Sequence, residues 1–572
     1  MRKLIVCLLT VLTTVSALAQ TTEDGEHLFK VAKNLEVFNA IYKDLDLMYV
    51  DTLNADETIG YAIAAMLNSL DPYTEYYPED KQGELKMMLS GKYAGIGALI
   101  RQNLAIDRVV IDEPYENMPA AEVGLRKGDI ILSIDDSTMV GKDVSYVSEH
   151  LRGDAGTTFI LKVLRPQKEQ GARSKEQGAR GKEMKFKITR RAIQMPAISY
   201  YGLQQDAIGY LCLTQFTEEC SKDVRRAFLD MKKQGMQKFV LDLRNNGGGS
   251  LQEAINILNM FVPKGLLLVK TVGKMERANR DYETTVEPVD TLMPIVVLVN
   301  GNSASASEIT SGSLQDLDRA VILGTRTYGK GLVQLPNLPL PYNGNLKLTT
   351  GKYYIPSGRC IQAINYKHGR GGYKEHVADS LTKVFYTAGG REVRDGGGIK
   401  PDVEVTPDSL SNIAFYLGST GRDSTEAMFN WELDYLRKHP TIAAAKDFEI
   451  SDAEYEQFKQ YVIASGFKYD RESKKQLDEL VKLAKFEGYY DDAKPEFEAL
   501  EAKLSHNLAK DLEYNKEIIK EILANDIVAC YYYQRGAVEN ALRYDKQWKE
   551  AVKLLNDAER YKTILSKPED KK

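Results

Sequence analysis

The sequence lacks most features that would place it quickly in a functional class. Only five of its 572 residues are cysteine, and their spacing resembles neither a zinc site nor a disulfide framework. The formal net charge of -5 is small for this length, which argues against a nucleic-acid partner held by a basic surface. Beyond the first 20 residues no run is long and apolar enough to cross a bilayer, so we expect no stable membrane insertion.

Motifs of common hydrolases and nucleotide-binding proteins are also missing. None of the six histidines directly follows an apolar run that indicates a buried strand, and no GxSxG is present, so a Ser-His-Asp hydrolase is disfavoured. The glycine run at 247–249 is not followed by the Lys-Ser/Thr pair of a P-loop, which disfavours a phosphate-binding loop. A catalytic serine in this chain would therefore need a base other than histidine.

Residues 1–20 have the pattern of an export signal. Arg2 and Lys3 precede an apolar core that ends in the small-x-small sequence Ala17-Leu18-Ala19. We therefore expect a soluble mature protein in the periplasm or another extracytoplasmic compartment. Export permits disulfides, but we expect scattered buried thiols, and a bridge between Cys212 and Cys220, the nearest pair, stays open.

The remaining patterns divide the mature chain into four regions and predict a multidomain α/β protein. Residues 21–80 show helical periodicity, and residues 81–191 consist of short β-runs. Residues 192–407 alternate apolar runs with amphipathic helices, and residues 408–572 are almost wholly helical, without chemistry that we can recognise. Inside the β-rich region, residues 167–183 contain a polar heptapeptide written twice, which we expect to be a mobile hairpin tip.

Three polar stretches in the α/β region are candidates for chemistry, because two of them come after apolar runs and the third contains a lysine between two glycines. They are RNNGGG at 244–249, SASASE at 303–308 and TYGKGLVQ at 327–334. A serine nucleophile needs a base and donors for the oxyanion, and a buried lysine with a lowered pKa can be that base. From the residues alone, it stays open whether the three stretches form one site and which serine reacts.

These stretches, in this order, resemble the carboxyl-terminal processing peptidases, also called tail-specific proteases. YYIPSGR at 353–359 and GGGIKPD at 396–402 match further, and PAAEVGLRKGDIILSI at 119–134 resembles a PDZ domain. The resemblance covers roughly residues 70–406. It implies a β-rich PDZ domain inserted before an α/β peptidase core of the crotonase-like ββα type, with helical regions on both sides.

The resemblance also implies roles for individual residues. Ser305 matches the family's nucleophile, Lys330 its general base, and Gln334 the residue that holds the lysine amine. The main-chain amides of Ala306 and Gly248 match the donors of the oxyanion hole. No metal or cofactor is implied.

The PDZ resemblance implies a peptide groove between a strand and a helix. The backbone amides of a glycine turn would bind the terminal carboxylate, and the turn consists of Ala94, Gly95, Ile96 and Gly97. The expected function is an exported serine endopeptidase that recognises proteins or peptides with accessible C-termini and cleaves them through an acyl-enzyme. Whether it forms a homo-oligomer stays open.

Two other functions remain as alternatives. The resembling family includes retinoid-binding members without peptidase activity, so a catalytically silent binding protein on the same fold is one of them. A penicillin-recognising enzyme is the other, because residues 465–468 and 380–383 match SxxK. The KTG and SDN partners of that motif are absent, which favours a chance match.

Overall fold

The computed structural model describes residues 2–90, 92–166, 181–194, 196–365, 373–374, 379–504 and 507–567. The insertion at 167–183, which carries the duplicated heptapeptide at 168–181 and is expected to be a mobile hairpin tip, therefore lies outside the described residues except for 181–183. Those three residues begin a β-strand, which reaches the last residue of the repeat.

The N-terminal region is helical, as its periodicity predicts. Its elements are α1 (Arg2–Met48), α2 (Ala55–Asn68), β1 (Glu75–Tyr77) and α3 (Gln82–Ser90). The apolar face of α1 does not pack into a core, because Leu28, Leu35 and Phe38 are 66%, 64% and 48% exposed. Within the described part of the chain, no helix combines the length and the apolar character needed to cross a membrane.

The β-rich region forms a curved antiparallel sheet closed by one helix. Its elements are β2 (Lys92–Gly95), β3 (Ala98–Asn103), β4 (Arg108–Pro114), α4 (Pro119–Glu122), β5 (Ile130–Ile134), β6 (Ser137–Thr138), α5 (Val144–Leu151), β7 (Thr158–Pro166), β8 (Gly181–Thr189) and β9 (Arg191–Gln194). The sheet order is β3-β4-β5-β7-β8, with β6 beside β5, and β2 pairs separately with β9. Buried Ile111, Leu161 and Ile188 of the sheet pack in one core with Val147 of α5.

The α/β region carries two sheets. Its elements are β10 (Ile198–Leu203), β11 (Ile208–Leu213), α6 (Cys220–Lys233), β12 (Lys238–Asp242), α7 (Leu251–Leu258), β13 (Leu267–Gly273), β14 (Arg280–Glu283), β15 (Ile295–Val299), α8 (Ala306–Asp316), β16 (Val321–Gly324), β17 (Leu332–Pro339), β18 (Asn345–Tyr354), β19 (Ile364–Asn365), β20 (Tyr373–Lys374), β21 (Val384–Tyr386), β22 (Glu392–Arg394) and β23 (Val403–Glu404). The larger sheet has the order β10-β11-β12-β15-β16-β23 and is parallel from β11 onward. The smaller sheet has the order β1-β18-β13-β14 with β17 on β18, so the N-terminal region contributes a strand.

The helical C-terminal region covers one face of the larger sheet. Its helices are α9 (Asn412–Gly418), α10 (Ala427–Lys438), α11 (Asp452–Ala464), α12 (Glu472–Glu487), α13 (Lys494–Lys503), α14 (Leu508–Tyr514), α15 (Lys516–Ala541), α16 (Lys546–Asn556) and α17 (Ala558–Leu565). Side chains alternate between the faces of a strand, so Val297 of β15 packs in the core that includes α6–α8, while Val296 packs against Trp548 and Tyr561. A parallel sheet needs both faces covered, and here α16 and α17 cover the second face.

The C-terminal region also packs against the β-rich region. Phe429 of α10 lies between two cations, with the Arg101 guanidinium 4.4 Å and the Lys127 Nζ 5.3 Å from its ring centre. Lys127 Nζ pairs with Glu432 at 2.8 Å. A Cβ atom at Gly128 would lie 2.6 Å from Leu433, so a glycine is needed for this close approach.

Four cysteines are unpaired thiols, as the sequence predicts, but only Cys220 of the four is fully buried. Among the described residues Cys212, Cys220, Cys360 and Cys530 are free thiols. The bridge between Cys212 and Cys220 that the sequence left open is therefore not formed.

Candidate functional site

The larger sheet brings the three candidate stretches to one edge. We call residues 243–249 the glycine loop, residues 300–305 the serine loop and residues 325–331 the lysine turn; they follow β12, β15 and β16. These three strands are adjacent and parallel, so their carboxyl ends share one edge, the usual site of function in such sheets. The Ala304 N–H donates to Asn246 O at 3.0 Å, and the Tyr328 N–H donates to Ser303 O at 3.0 Å.

The three alternate serines have different surroundings. The Ser303 hydroxyl donates to Leu243 O and the Ser307 hydroxyl to Asn246 O, each at 2.8 Å, and both side chains are fully buried. These two serines therefore hold the glycine loop in place. Ser305 is partly exposed and begins α8 with φ 55° and ψ -113°, a strained backbone conformation of the kind found at active sites.

Glu308 joins the serine loop to the lysine turn. Its buried carboxylate accepts the N–H of Ser305 at 2.9 Å and the N–H of Lys330 at 2.9 Å. It also accepts the Gly329 N–H at 2.7 Å and the Thr327 hydroxyl at 2.6 Å. Burial raises the pKa of Glu308 to about 7, against the lowering effect of these donors. Our sequence analysis gave this residue no role, although the S-x-x-E spacing from Ser305 is that of a capping box.

Lys330 lies in a partly buried position between charges of both signs. Burial, with a smaller effect of the nearby Lys347, lowers the pKa of its amine from 10.5 to about 8, while Glu308, Asp71 and Glu75 act in the opposite direction. Its Nζ lies 4.3 Å from the ring centre of Tyr73, which comes from the loop before β1. The N-terminal region therefore forms part of the surroundings of this amine.

Tyr353 is a second residue that the sequence analysis did not single out. Its side chain is buried, and its hydroxyl donates to Lys330 O. The same hydroxyl lies 3.3 Å from Ser305 O. Together with Glu308, it fixes the main chain on both sides of the pair Ser305 and Lys330. The sequence signal for Tyr353 was its place in the YYIPSGR match, but that match does not predict its hydrogen-bond partners.

Gln334 does not make the expected contact with the lysine in this structure. Its Nε2 donates to Thr349 Oγ1 at 3.2 Å. The reason is register: Gln334 lies in β17 directly opposite Thr349 of β18, so the two side chains meet across the strands. Among the described residues, no hydrogen bond joins Gln334 to Lys330.

The two amides expected to hold the oxyanion lie beside Ser305. Ala306 is the first residue of α8, where helix N–H groups favour negative charge. Gly248 has φ +101°, and a Cβ there would lie 2.7 Å from Ala304 O and 3.0 Å from Ala306 N. Its N–H, however, donates to Asn246 Oδ1 at 2.9 Å. As a donor to an oxyanion, Gly248 would have to give up that bond.

The expected carboxylate-binding turn of the PDZ-like region leads into β3, beside α5. Ala94 and Gly95 lie in β2 and pair with β9, and Ile96 and Gly97 form the turn. The Ile96 carbonyl accepts the Ala120 N–H at 2.9 Å, and Gly97 has φ +69°, which a glycine adopts without strain. β3 and α5 are neighbours, so the strand-and-helix groove implied by the sequence would lie between them.

Nothing in the described residues indicates a metal centre. No three histidine, cysteine or carboxylate side chains of that part of the chain converge on a point where they would hold an ion. The edge brings together Ser305 and the partly buried Lys330, whose main-chain N–H groups share the Glu308 carboxylate; among the described residues, no hydrogen bond joins the Ser305 hydroxyl to the Lys330 amine.

Comparison with known proteins agrees with this arrangement. A model of peptidase family S41 matches residues 207–368, a PDZ domain model matches residues 110–165, and a model described as the C-terminal helical domain of a probable PDZ-protease matches residues 416–555. A carboxy-terminal-processing protease of Bartonella bacilliformis is 35% identical over 354 residues, which are 61% of this chain and 77% of that protein.

Two other matches are more distant. A probable CtpA-like serine protease of Staphylococcus aureus is 32% identical over 344 residues, which are 59% of this chain and 63% of that protein. The solved photosystem II D1 C-terminal processing protease is 25% identical with a TM-score of 0.34, over 65% of this chain and 87% of that one.

Fold and matches together define a serine peptidase with a PDZ domain ahead of the peptidase core and a helical domain after it. The chain belongs to peptidase family S41, among the carboxy-terminal-processing proteases. This membership decides against the penicillin-recognising enzyme that the sequence had left open, and the similarity to relatives named as proteases favours a peptidase over the silent binding protein.

Proposed function

We propose that this protein is an exported endopeptidase in which Ser305 is the nucleophile and Lys330 the general base. The observation that carries the proposal is Glu308, whose single carboxylate holds the main-chain N–H groups of both residues. A lowered lysine pKa supports the second role, because a base must be neutral before it can accept a proton. The Arg2-Lys3 start, the apolar core and Ala17-Leu18-Ala19 support export.

The proposed reaction proceeds through an acyl-enzyme. Lys330 Nζ takes the proton of Ser305 Oγ as the oxygen attacks the peptide carbonyl carbon, and the carbonyl electrons move to its oxygen. The N–H groups of Ala306 and Gly248 would hold that oxyanion. When the C–N bond breaks, Lys330 gives the proton to the leaving amine. Water then attacks the ester, Lys330 takes its proton, and Ser305 leaves with that proton restored.

The activity should rise with pH through about 8. The protonated amine of Lys330, whose pKa is about 8, cannot accept the serine proton, so kcat/KM should increase about tenfold per pH unit below that value and level off above it. The pH profile of kcat/KM for a short peptide measures this, because it reports groups of the free enzyme.

A Lys347→Met variant identifies the titrating group. Lys347 lowers the pKa of Lys330 and pairs with Glu75 at 2.6 Å, so its loss removes a positive neighbour and frees a negative one. Both changes favour the protonated amine and should move the rising limb to higher pH. A rising limb that keeps its position in the variant would contradict a lysine base.

Recognition by the PDZ domain should depend on the substrate's free C-terminus. Backbone amides of the turn at residues 94–97 would bind a carboxylate better than a neutral amide. We therefore expect a peptide with a C-terminal carboxylate to be cleaved with a lower KM than the same peptide with a C-terminal amide. Steady-state kinetics of the two peptides, each with an identical internal cleavage site, measure the difference.

The control for this comparison is a pair of short peptides that span the cleavage site but cannot reach the PDZ domain. Their rates should not depend on the terminal group. Equal KM values for the long carboxylate and long amide peptides would rule out carboxylate capture, without bearing on the roles of Ser305 and Lys330.

A further inference from the structure

Arg244, in the glycine loop, has a densely bonded side chain that the proposed mechanism does not use. Its Nε donates to Asp242 Oδ1 at 2.9 Å and Oδ2 at 3.0 Å, and its main-chain N–H donates to Asp242 Oδ1 at 2.9 Å. The Tyr210 hydroxyl donates to the same carboxylate at 2.6 Å. The guanidinium is therefore tied to the end of β12, at the point where the loop begins.

The C-terminal helical region also holds the guanidinium, in part through the terminal nitrogen that donates to Asp242 Oδ2 at 2.5 Å. Asp545 Oδ2 pairs with Arg244 Nη2 at 2.6 Å, and Gln547 Oε1 accepts a hydrogen bond from Arg244 Nη1 at 2.9 Å. Gln547 is buried, and its Nε2 donates to Val405 O at 2.7 Å, just after β23. Asp545 Oδ1 accepts the N–H of Gln547 at 2.8 Å and of Trp548 at 3.0 Å, so it also caps α16.

The glycine loop transmits this placement to the proposed nucleophile. Two residues after Arg244, the Asn246 carbonyl accepts the Ala304 N–H and the Ser307 hydroxyl, one on each side of Ser305. Further along, the main chain of Gly248 lies so close to the serine loop that a Cβ atom there would be 2.7 Å from Ala304 O and 2.8 Å from Ser305 Cβ. A shift of the loop by ~1 Å would misplace both the nucleophile and the oxyanion donor, which can cost ~100-fold in rate.

We propose that Asp545 and Gln547 are positioning residues, which act through Arg244 on the loop that carries an oxyanion donor. The C-terminal helices then set the geometry of the catalytic edge in addition to covering the sheet. This inference rests on the proposed function, in which Ser305 is the nucleophile.

The substitution Asp545→Asn separates positioning from helix capping. Asparagine caps a helix about as well as aspartate, so the N-terminus of α16 keeps its cap. One of the two carboxylates that pair with Arg244 loses its charge, while Asp242 keeps the other. The matched control is Asp557→Asn, the same change at the cap of α17, where the carboxylate accepts the Arg560 N–H at 2.9 Å and lies at the exposed surface.

The experiment measures kcat, KM, unfolding temperature and inhibitor affinity for the full-length protein and its variants. The inhibitors are a peptide boronate, whose tetrahedral adduct with a serine resembles the transition state, and a non-cleavable peptide of the same sequence. In Asp545→Asn we expect kcat to fall roughly ten- to hundredfold and boronate affinity to fall in parallel. KM, peptide affinity and unfolding temperature should stay close to wild type. Asp557→Asn should match wild type in every measurement.

A second variant, Gln547→Met, removes the acceptor for the other Arg244 nitrogen together with the donor to Val405 O, and should give the same pattern of kcat and boronate affinity with a smaller loss. The inference would be overturned if both variants had wild-type kcat. It would also be overturned if the variants lost boronate affinity and peptide affinity equally and had a lower unfolding temperature. The Ser305→Ala variant distinguishes a failure of the proposed function from a failure of the positioning role. If that variant remains active, the proposed function is wrong; if it is inactive while Asp545→Asn behaves as wild type, only the positioning role is wrong.

Discussion

A Ser305→Ala variant is expected to cleave a tailed peptide about 10⁴-fold more slowly than wild type, or slower still. The methyl group cannot attack the carbonyl, so only binding and oxyanion stabilisation remain. Lys330→Ala should have a similar effect, because without a neutral amine the serine keeps its proton. The double variant should be no slower than either single one, since residues that act as a unit do not contribute additively. Turnover of a fluorogenic peptide measures all three.

Ser311→Ala is the matched control for the serine substitution. Ser311 is a buried serine of the same helix, and its hydroxyl donates only within α8, to Ser307 O at 2.8 Å. We expect this variant to keep most of the wild-type activity, and all the variants to keep the wild-type circular dichroism spectrum. Substantial proteolysis by folded Ser305→Ala or Lys330→Ala protein would refute the assignment of the pair.

The second large effect concerns stability. We expect Trp548→Ala to lower the free energy of unfolding by about 3 to 5 kcal/mol. Trp548 is only 6% exposed and packs edge-on against Tyr210 of β11, with ring centres 5.3 Å apart. Its removal would leave a cavity between α16 and the larger sheet. Denaturant titration followed by circular dichroism measures the change.

Phe486→Ala provides the comparison within the same helical region. Phe486 lies in α12 and is 88% exposed, so its loss should change the free energy of unfolding by no more than about 0.5 kcal/mol. If the two variants were equally stable, α16 would not be an integral layer of the peptidase core. That result would also weaken the positioning role proposed for Asp545.

The strands and the catalytic edge could be predicted because their signals are local. Each apolar run at 239–243, 294–299 and 320–324 matches a buried strand, and the polar stretch after each one lies at the shared edge. Which of the three serines reacts could not be predicted from local sequence. The hydroxyls of Ser303 and Ser307 donate to carbonyls of the glycine loop some 60 residues earlier in the chain, and no spacing within SASASE predicts these hydrogen bonds.

Other features depended on register and on contacts between regions. The partner of Gln334 follows from the pairing of β17 with β18, which the pattern of apolar residues does not specify. The helical periodicity around Phe38 predicted a helix correctly, but a periodic face does not say whether anything covers it, and here it is exposed. The C-terminal helices showed no chemical motif because Asp545 and Gln547 act through another residue rather than through a recognisable signature.

The close approach of Gly128 to Leu433 also limits how the PDZ domain can be exchanged between related proteins. Because a side chain at position 128 would collide with α10, the β-rich region and this helix are shaped to each other. A chimera that exchanges only residues 92–194 would bring in a surface that has not been matched to Phe429 and Glu432. The smallest transferable unit is therefore discontinuous in sequence: it consists of the PDZ domain together with the helix, more than 200 residues later, on which that domain rests.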